Sequence, residues 1–528
     1  MFLAHIRQSD LKEQTVQEHL EEVASLARLY GDKVGLGAHA ELAGFLHDMG
    51  KFTKEFTNYL KNAVIHQQVA TQKIDHSTAG AKYLYEKYYD DNPIQKFVVE
   101  TVGMAILSHH SGLQNFVQPD LSESDYLRRV TNQELPFYKE VVDHFEAIEG
   151  NVDRVERLLQ EASKEFTLFM EKIRLIDPDK PYIYLCHMQK LIFSCLIDAD
   201  RTNTRCFEEK ETLNITNNQQ LFKHCYQTLL NQIQKWEAAN KVKPSLMNTL
   251  RNNMSIACDM KAHESSAILK LSIPTGGGKT FASLRYALKH AYLNKKSRII
   301  YVVPYTTIIE QNAEAVRNIL QQPDIVLEHH GNVIDDVNLD DNSDLYHNQH
   351  IKQLQLGRDN WDYPIIFTTL VQFLDTFYKK GTRKARRLHN LTNAVIIFDV
   401  VQSVPYQHFP LFNTVINFLH HIGNSSILLC TATQPAVDRM NPPIKMGHHA
   451  EIINTLDQIV NSFKRVTFYN KVDHKGWDAY KIADFIEDLM SQHDSVLIIL
   501  NTKTAVKKLY KVLTDMDIAP VIHLSTSM

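Results

Sequence analysis

The sequence predicts an all-helical N-terminal domain, then an α/β lobe on a parallel sheet with a phosphate-binding loop, then a partial second α/β lobe. Three observations predict it. Apolar residues recur at helical spacing through residues 1–210. From about residue 246 the texture changes to short β-rich apolar runs that alternate with helical stretches. A glycine-rich turn, Ile273-Pro-Thr-Gly-Gly-Gly-Lys-Thr280, joins one of those runs to a helix.

In the helical domain (1–210), Thr15-Val-Gln-Glu18 is a capping-box pattern with Thr15 as N-cap. Val16, Leu20, Val23 and Ala27 continue it as an apolar stripe. A second helix carries Leu42, Phe45, Leu46 and Met49. A third follows His76-Ser77 through Ala79, Tyr83 and Leu84. A fourth runs from Phe97 to Leu107 and stops near Gly112. Tyr182 to Ala199 closes the unit. Residues 211–245 are polar and helix-prone and read as a connector.

In the first α/β lobe (246–463), Ala267–Ile273, Arg298–Val303, Pro364–Phe367, Ala394–Phe398 and Ser426–Cys430 read as buried parallel strands. Asp335 to Asp344 reads as an exposed acidic loop. A second lobe begins at 464, with strands expected at Val466–Tyr469 and Ser495–Leu500, and runs to 528.

Composition narrows the partners. The chain has 528 residues, 44% apolar and 22% charged, enough to bury a large core. Lys and Arg number 57 against 61 Asp and Glu, a net charge of −4. Nucleic acid would therefore bind through a local patch rather than a global field. The apolar runs are too short to span a bilayer. MFLAHIRQSD lacks the pattern of a secretory signal, and the six cysteines form no CxxC pair. A cytoplasmic protein without a membrane partner is expected.

Two constellations carry chemistry. In the glycine-rich turn, Gly276, Gly277 and Gly278 let backbone N–H groups approach phosphate oxygens. Thr275 precedes them, Lys279 reaches the outer phosphates, and the Thr280 hydroxyl suits Mg²⁺. Val395-Ile-Ile-Phe-Asp399 ends a strand in an aspartate, where a Mg²⁺-holding carboxylate belongs. ATP with Mg²⁺ is the expected ligand.

The second constellation lies among the 26 histidines. His19, the His47-Asp48 pair, His76 and the adjacent His109-His110 recur through the helical domain, with an aspartate of Asp198-Ala-Asp200 to complete the set. Imidazoles and carboxylates converging in a helical bundle suit one or two divalent transition metals. Asp48 could bridge two ions, the arrangement used for phosphodiester hydrolysis.

Together Leu46-His-Asp-Met-Gly-Lys51, His109-His-Ser-Gly112 and Ile273-Pro-Thr-Gly-Gly-Gly-Lys-Thr280 resemble the CRISPR-associated HD nuclease–helicase family of type I interference. The resemblance implies an HD domain followed by a RecA-like superfamily 2 helicase lobe and the start of a second. It implies a metal-dependent single-strand DNA nuclease using Mn, Fe, Co or Ni, recruited as a monomer by a guide-RNA-loaded surveillance complex. His19, His47, Asp48 and Asp200 resemble the ligands of one metal; Asp48, His76, His109 and His110 resemble those of another. Lys51 matches a lysine near the scissile phosphate.

Two features depart from the family pattern. Asp399-Val400-Val401-Gln402 stands where the family reads Asp-Glu-x-Gln or Asp-Glu-x-His, so the base that positions the attacking water is replaced by valine. The second lobe also stops short of the arginine that would complete the ATP site. ATP binding with very slow hydrolysis is expected. A catalytically degenerate decoy that occupies the surveillance complex is the alternative; an HD nucleotide phosphohydrolase is a third reading, weakened by the attached motor. Lys379, Lys380, Arg383, Lys384, Arg386 and Arg387 form the strongest basic cluster, expected either to contact DNA phosphates or to be a solvated helix face.

Overall fold

The computed structural model describes residues 1–66, 74–118, 120, 124–212, 217–331, 354–432, 437–454, 456–464, 466–474, 476–518 and 520–524. The expected acidic loop at 335–344 lies outside the described residues. The chain divides into a large unit, Met1–Phe463, and a small one, Lys464–Met528.

The large unit opens with a short antiparallel hairpin, β1 (Leu3–Ile6) and β2 (Glu13–Thr15). Helices follow: α1 (Val16–Asp32), α2 (Gly37–Leu46), α3 (Lys54–Val64), α4 (Ala79–Tyr88), α5 (Pro93–Ser108), α6 (Asp125–Val130), α7 (Tyr138–Glu146), α8 (Asn151–Ile176) and α9 (Pro181–Glu209). The capping box forms as expected: the Thr15 side chain accepts from Glu18 N–H while the Glu18 carboxylate accepts from Thr15 N–H. That satisfies two of the donors a helix start leaves unpaired. α1 and α2 approach closely at Gly44, where a Cβ would lie 2.8 Å from Ala24 Cα.

Next come α10 (Gln219–Val242) and α11 (Leu246–Lys261), then β3 (Ile268–Ser272), α12 (Lys279–Leu293), β4 (Ile299–Val303), α13 (Thr306–Leu320) and β5 (Val326–His329). β6 (Ile365–Thr369), α14 (Leu370–Tyr378), β7 (Val395–Asp399), α15 (Phe409–His421), β8 (Ser426–Thr431) and α16 (Leu456–Ser462) complete the unit. Six parallel strands run in the order β3-β8-β7-β4-β6-β5. All five expected strands are present; β5 was not foreseen.

Both faces of the sheet are covered, which is why its strands read as unbroken apolar runs. On β4, Ile300 and Val302 face a core continuous with the helical domain. Ile299, Tyr301 and Val303 face the other, packed by α10 to α13. The connector reading of 211–245 is corrected by that second core. Phe222, Cys225, Tyr226, Leu229 and Ile233 of α10 are buried in it at helical spacing, so α10 is part of the lobe.

In the small unit, α17 (Ala479–Met490) and α18 (Lys503–Asp515) pack through Ala483, Ile486, Leu509, Val512 and Leu513. The strands expected at 466–469 and 495–500 pair in no ladder among the described residues. The apolar run at 495–500 still alternates in exposure: Ile498 and Leu500 pack on the helices while Leu497 and Ile499 face solvent. Alternation sets which face is apolar, but a strand also needs a neighbouring backbone to pair with.

Candidate functional site

The seven residues singled out in the helical domain come from five places in the chain and meet at one point. His19 lies on the apolar stripe of α1 and is fully buried. His47 is the C-cap of α2 and His109 the C-cap of α5. Each sits where a helix leaves carbonyls unpaired, and each ring bonds the carbonyl three residues back: His47 Nδ1 to Gly44 O at 2.8 Å, His109 Nδ1 to Ile106 O at 2.6 Å. His76 Nδ1 bonds Ile74 O at 3.1 Å. A carbonyl oxygen can only accept, so in each ring Nδ1 carries the hydrogen. The neutral ring then offers a bare lone pair at Nε2, as a metal ligand does.

His19 reaches the same state through Asn203. Its Nδ1 bonds Asn203 Oδ1 at 2.7 Å, while Asn203 Nδ2 donates to Glu22 at 2.6 Å, which fixes the amide. Sequence reasoning missed Asn203; the signal was its position one helical turn beyond Asp200 on α9.

Asp48 stands at the centre. Its Oδ2 lies 3.4 Å from His19 Nε2 and 3.3 Å from His47 Nε2. Its Oδ1 lies 3.4 Å from His109 Nε2 and 3.7 Å from His76 Nε2. Asp200 Oδ1 closes the first side, 3.6 Å from His19 and 3.7 Å from His47. His110 closes the second, its Nε2 2.7 Å from that of His76. The donor atoms thus form two groups, His19-His47-Asp200 and Asp48-His76-His109-His110. The first is the more buried; His110 opens the second to solvent.

This donor set fits divalent cations. His19 Nε2, His47 Nε2, His109 Nε2 and Asp48 Oδ1 are buried without a hydrogen-bond partner, a costly state unless a cation binds there. Electrostatics agree. Burial disfavours charge on His47, yet the Asp48 and Asp200 carboxylates outweigh it and raise the ring to about 10. Asp48 is held well below the usual carboxylate range: burial opposes this, and Lys51 and His47 prevail. The carboxylates therefore demand positive charge at their centre. Lys51 supplies part of it, its Nζ 2.7 Å from Asp48 Oδ2 in the 3₁₀ turn Met49–Lys51. Asp198, the other aspartate of Asp198-Ala-Asp200, faces away and pairs with Arg386 and His389.

The second candidate site is the turn between β3 and α12. Gly276 and Gly278 take positive φ (79° and 82°), and a Cβ at Gly277 would lie 2.6 Å from Ile273 Cγ2. Only glycine suits all three. Lys279 Nζ lies 3.3 Å from Asp399 Oδ1, and Thr280 Oγ1 lies 3.3 Å from Asn312 Oδ1. Gly276, Gly278, Lys279, Thr280 and Asp399 line a cleft of about 1140 Å³ with Thr275, Trp236 of α10 and Arg251 of α11. Arg251 Nε bonds Gly276 O at 2.9 Å. Val400 follows Asp399 with φ 65° and ψ 54°, its N–H donating to Cys430 O.

The basic cluster divides. Arg386 and Arg387 are buried: Arg386 pairs with Asp198 at 2.8 Å, and Arg387 bonds the Arg358 and Asp359 carbonyls. Their membership in an exposed DNA-contacting patch is therefore corrected. Lys384 pairs with Asp375 and Arg383 with Asp359. Lys379 and Lys380 are exposed.

Comparison with known proteins gives the domain families and the fold. The HD domain family matches residues 16–151 and the DEAD/DEAH box helicase family residues 246–440. The crystal structure of T. fusca Cas3 is similar at 13% identity and a TM-score of 0.55, covering 98% of this chain and 64% of its own. T. fusca Cas3 with AMPPNP is similar at 15% identity and a TM-score of 0.48, covering 82% of this chain and 50% of its own. This chain thus spans half to two thirds of the length of those structures. No curated protein matches the sequence. In fold the chain is similar to T. fusca Cas3, and by its family matches it joins an HD domain to a DEAD/DEAH box helicase domain.

Proposed function

We propose that the HD domain is a metal-dependent nuclease for single-stranded DNA and that the helicase lobe binds ATP with Mg²⁺. The chain would act as a monomer in the cytoplasm in type I CRISPR interference, beside a guide-RNA-loaded surveillance complex. The reading assigns 1–210 to the nuclease and 246–463, with α10, to the motor lobe. The observation that carries it is the Asp48 carboxylate, with one oxygen toward each of two imidazole groups, among which His19, His47 and His109 keep a buried Nε2 without a hydrogen-bond partner.

In this reading His19, His47, Asp48 and Asp200 hold one cation and Asp48, His76, His109 and His110 another. Mn, Fe, Co and Ni suit such imidazole-rich ligation. Bound there, divalent cations would neutralise phosphate charge and make a water nucleophilic at neutral pH. The residues do the rest. Gly44, Ile106, Ile74 and Asn203 hold the four rings by Nδ1 so that Nε2 faces the cation, which would displace the proton that His47 carries in its absence. Lys51 keeps Asp48 ionised and oriented. The strand enters from the solvent side of His76 and His110. Hydrolysis joins a water oxygen to phosphorus, breaks one P–O ester bond and leaves the proton on the departing oxygen.

Lys279, Thr280 and Asp399 support nucleotide and Mg²⁺ binding. Val400 can neither accept a proton nor orient water, so hydrolysis is expected to be slow. That same residue favours the decoy reading, for the motor half alone. The test is cleavage of single-stranded DNA with Mn²⁺, Co²⁺ or Ni²⁺, abolished by Asp48→Ala. No cleavage with any of the three at high enzyme would reject the nuclease. Family-like ATP turnover with single-stranded DNA would reject the slow motor.

A further inference from the structure

We infer that Arg129 is a positioning residue for the second cation group, the group of Asp48, His76, His109 and His110. The inference rests on the metal-site reading above. Arg129 lies on α6, outside the segments that supply ligands. Its guanidinium reaches both segments that carry the solvent-side histidines. Nε bonds Thr78 Oγ1 at 3.1 Å, and Nη2 bonds Ser77 Oγ at 3.0 Å and Asp75 Oδ2 at 3.3 Å, with a further contact to Thr78 Oγ1. Nη1 bonds Leu107 O at 3.0 Å. Residues 75–78 form the turn that holds His76. Leu107 lies two residues before His109 at the end of α5.

A planar fork with five donors suits this bridging, and a single ammonium does not. The turn is already closed on itself: Asp75 accepts from Ser77 N at 3.0 Å, Thr78 N at 3.2 Å and Thr78 Oγ1 at 2.7 Å, so it moves as one piece. Its other face rests on Gly50, where a Cβ would lie 2.5 Å from the His76 carbonyl oxygen. That contact sets the turn against Asp48. His76 Nε2 and His110 Nε2 meet at 2.7 Å, a contact between the ligand rings themselves; Arg129 ties the turn's backbone segment to the last turn of α5 and so sets where His76 stands relative to His109 and His110. The buried group of His19, His47 and Asp200 draws nothing from Arg129. Its supports are Asn203 and Gly44.

The expected consequence is selective. Loss of the outer support of a metal ligand weakens binding about 10–100-fold. In Mn²⁺ titrations of the full chain, followed by calorimetry and by bound-metal analysis after gel filtration, the wild type should take up two equivalents. Arg129→Gln should keep one at unchanged affinity and bind the other about 10–100-fold more weakly. Arg129→Lys, which keeps the charge but cannot span both segments, should give only partial recovery. Two equivalents at wild-type affinity in Arg129→Gln would overturn the inference and leave the metal-site reading standing. Equal weakening of both equivalents, with a lowered metal-free melting temperature, would also overturn it by showing a general structural role. No Mn²⁺ uptake by the wild type would instead overturn the metal-site reading itself.

Discussion

Lys51 Nζ donates to Asp48 Oδ2 at 2.7 Å, both side chains buried, and that oxygen is the one turned toward His19 and His47. The lysine and a cation therefore share one carboxylate oxygen. Removing one partner of a buried ion pair costs about 3–5 kcal/mol, because the other charge is left uncompensated. Lys51→Met should accordingly lower the metal-free melting temperature. Added Mn²⁺ gives Asp48 a replacement partner, so it should raise the melting temperature of Lys51→Met by more than that of the wild type. Equal rises in both proteins would show that Lys51 and the cation do not compete for Asp48.

Val400 has a β-branched side chain at φ 65°, and the backbone is pinned there by its N–H to Cys430 O and by Ser403 Oγ to its own carbonyl. The left-handed region costs an L-residue roughly 1–2 kcal/mol. Glycine removes that strain and loses some of the gain to chain entropy. Val400→Gly should stabilise the fold by up to about 1 kcal/mol in chemical denaturation. Val400→Glu places a carboxylate beside Asp399, and single-turnover ATP hydrolysis should rise by about 100-fold or more if a missing base is what limits it. An unchanged rate would place the limit elsewhere.

The donor set and the sheet were legible in the sequence for different reasons. Buried parallel strands such as Ile299–Val303 are continuous apolar runs, and such runs are visible without tertiary knowledge. β5 was not, because Val326–His329 has four residues and includes Glu328. The hairpin of β1 and β2 escaped for a like reason. His19, His47, His76, His109 and His110 stood out by type and order, but the orientations of the first four come from carbonyls and from Asn203, which no spacing reveals. Arg129 was silent because its partners lie 22 to 54 residues away. The basic cluster misled for the same reason: the partner that buries Arg386 is 188 residues distant.

Asp198 and Asp200 sit two residues apart on α9 and face different neighbours, so their substitutions should separate. Asp198 is buried with Arg386 at 2.8 Å and His389 at 2.9 Å. Burial works against its charge, yet His389 and Arg386 hold its pKa at about 2. A depressed carboxylate contributes stability that is present above its unfolded value of about 4 and is lost as pH falls toward 2. Asp198→Asn should therefore flatten the stability curve across that window. Asp198→Ala should cost about 3–5 kcal/mol at neutral pH. Asp200→Ala should weaken Mn²⁺ uptake and leave metal-free stability nearly unchanged. An equal loss of stability in both alanine variants would contradict the division of roles.

Lys379 and Lys380, with Arg383, are the exposed members of the basic cluster, and the lysine pair can be tested for a nucleic-acid contact without touching the Arg383–Asp359 pair. The chain as a whole is acidic, so any phosphate contact must be local, and local contacts leave a signature in salt dependence. Each phosphate neutralised on a single strand contributes about 0.7 to the slope of log affinity against log salt. Lys379→Glu with Lys380→Glu should weaken single-stranded DNA binding and reduce that slope by about 1.4. Lys379 also lies 3.9 Å from Asp375, which itself takes Lys384, so the folded state has little stake in Lys379. Reversal of Arg386, by contrast, should unfold the contact with Asp198 before it reports on DNA. Unchanged affinity and slope in the double lysine variant would identify the 379–380 corner as a solvated surface and move the DNA path to the metal centre and the nucleotide cleft.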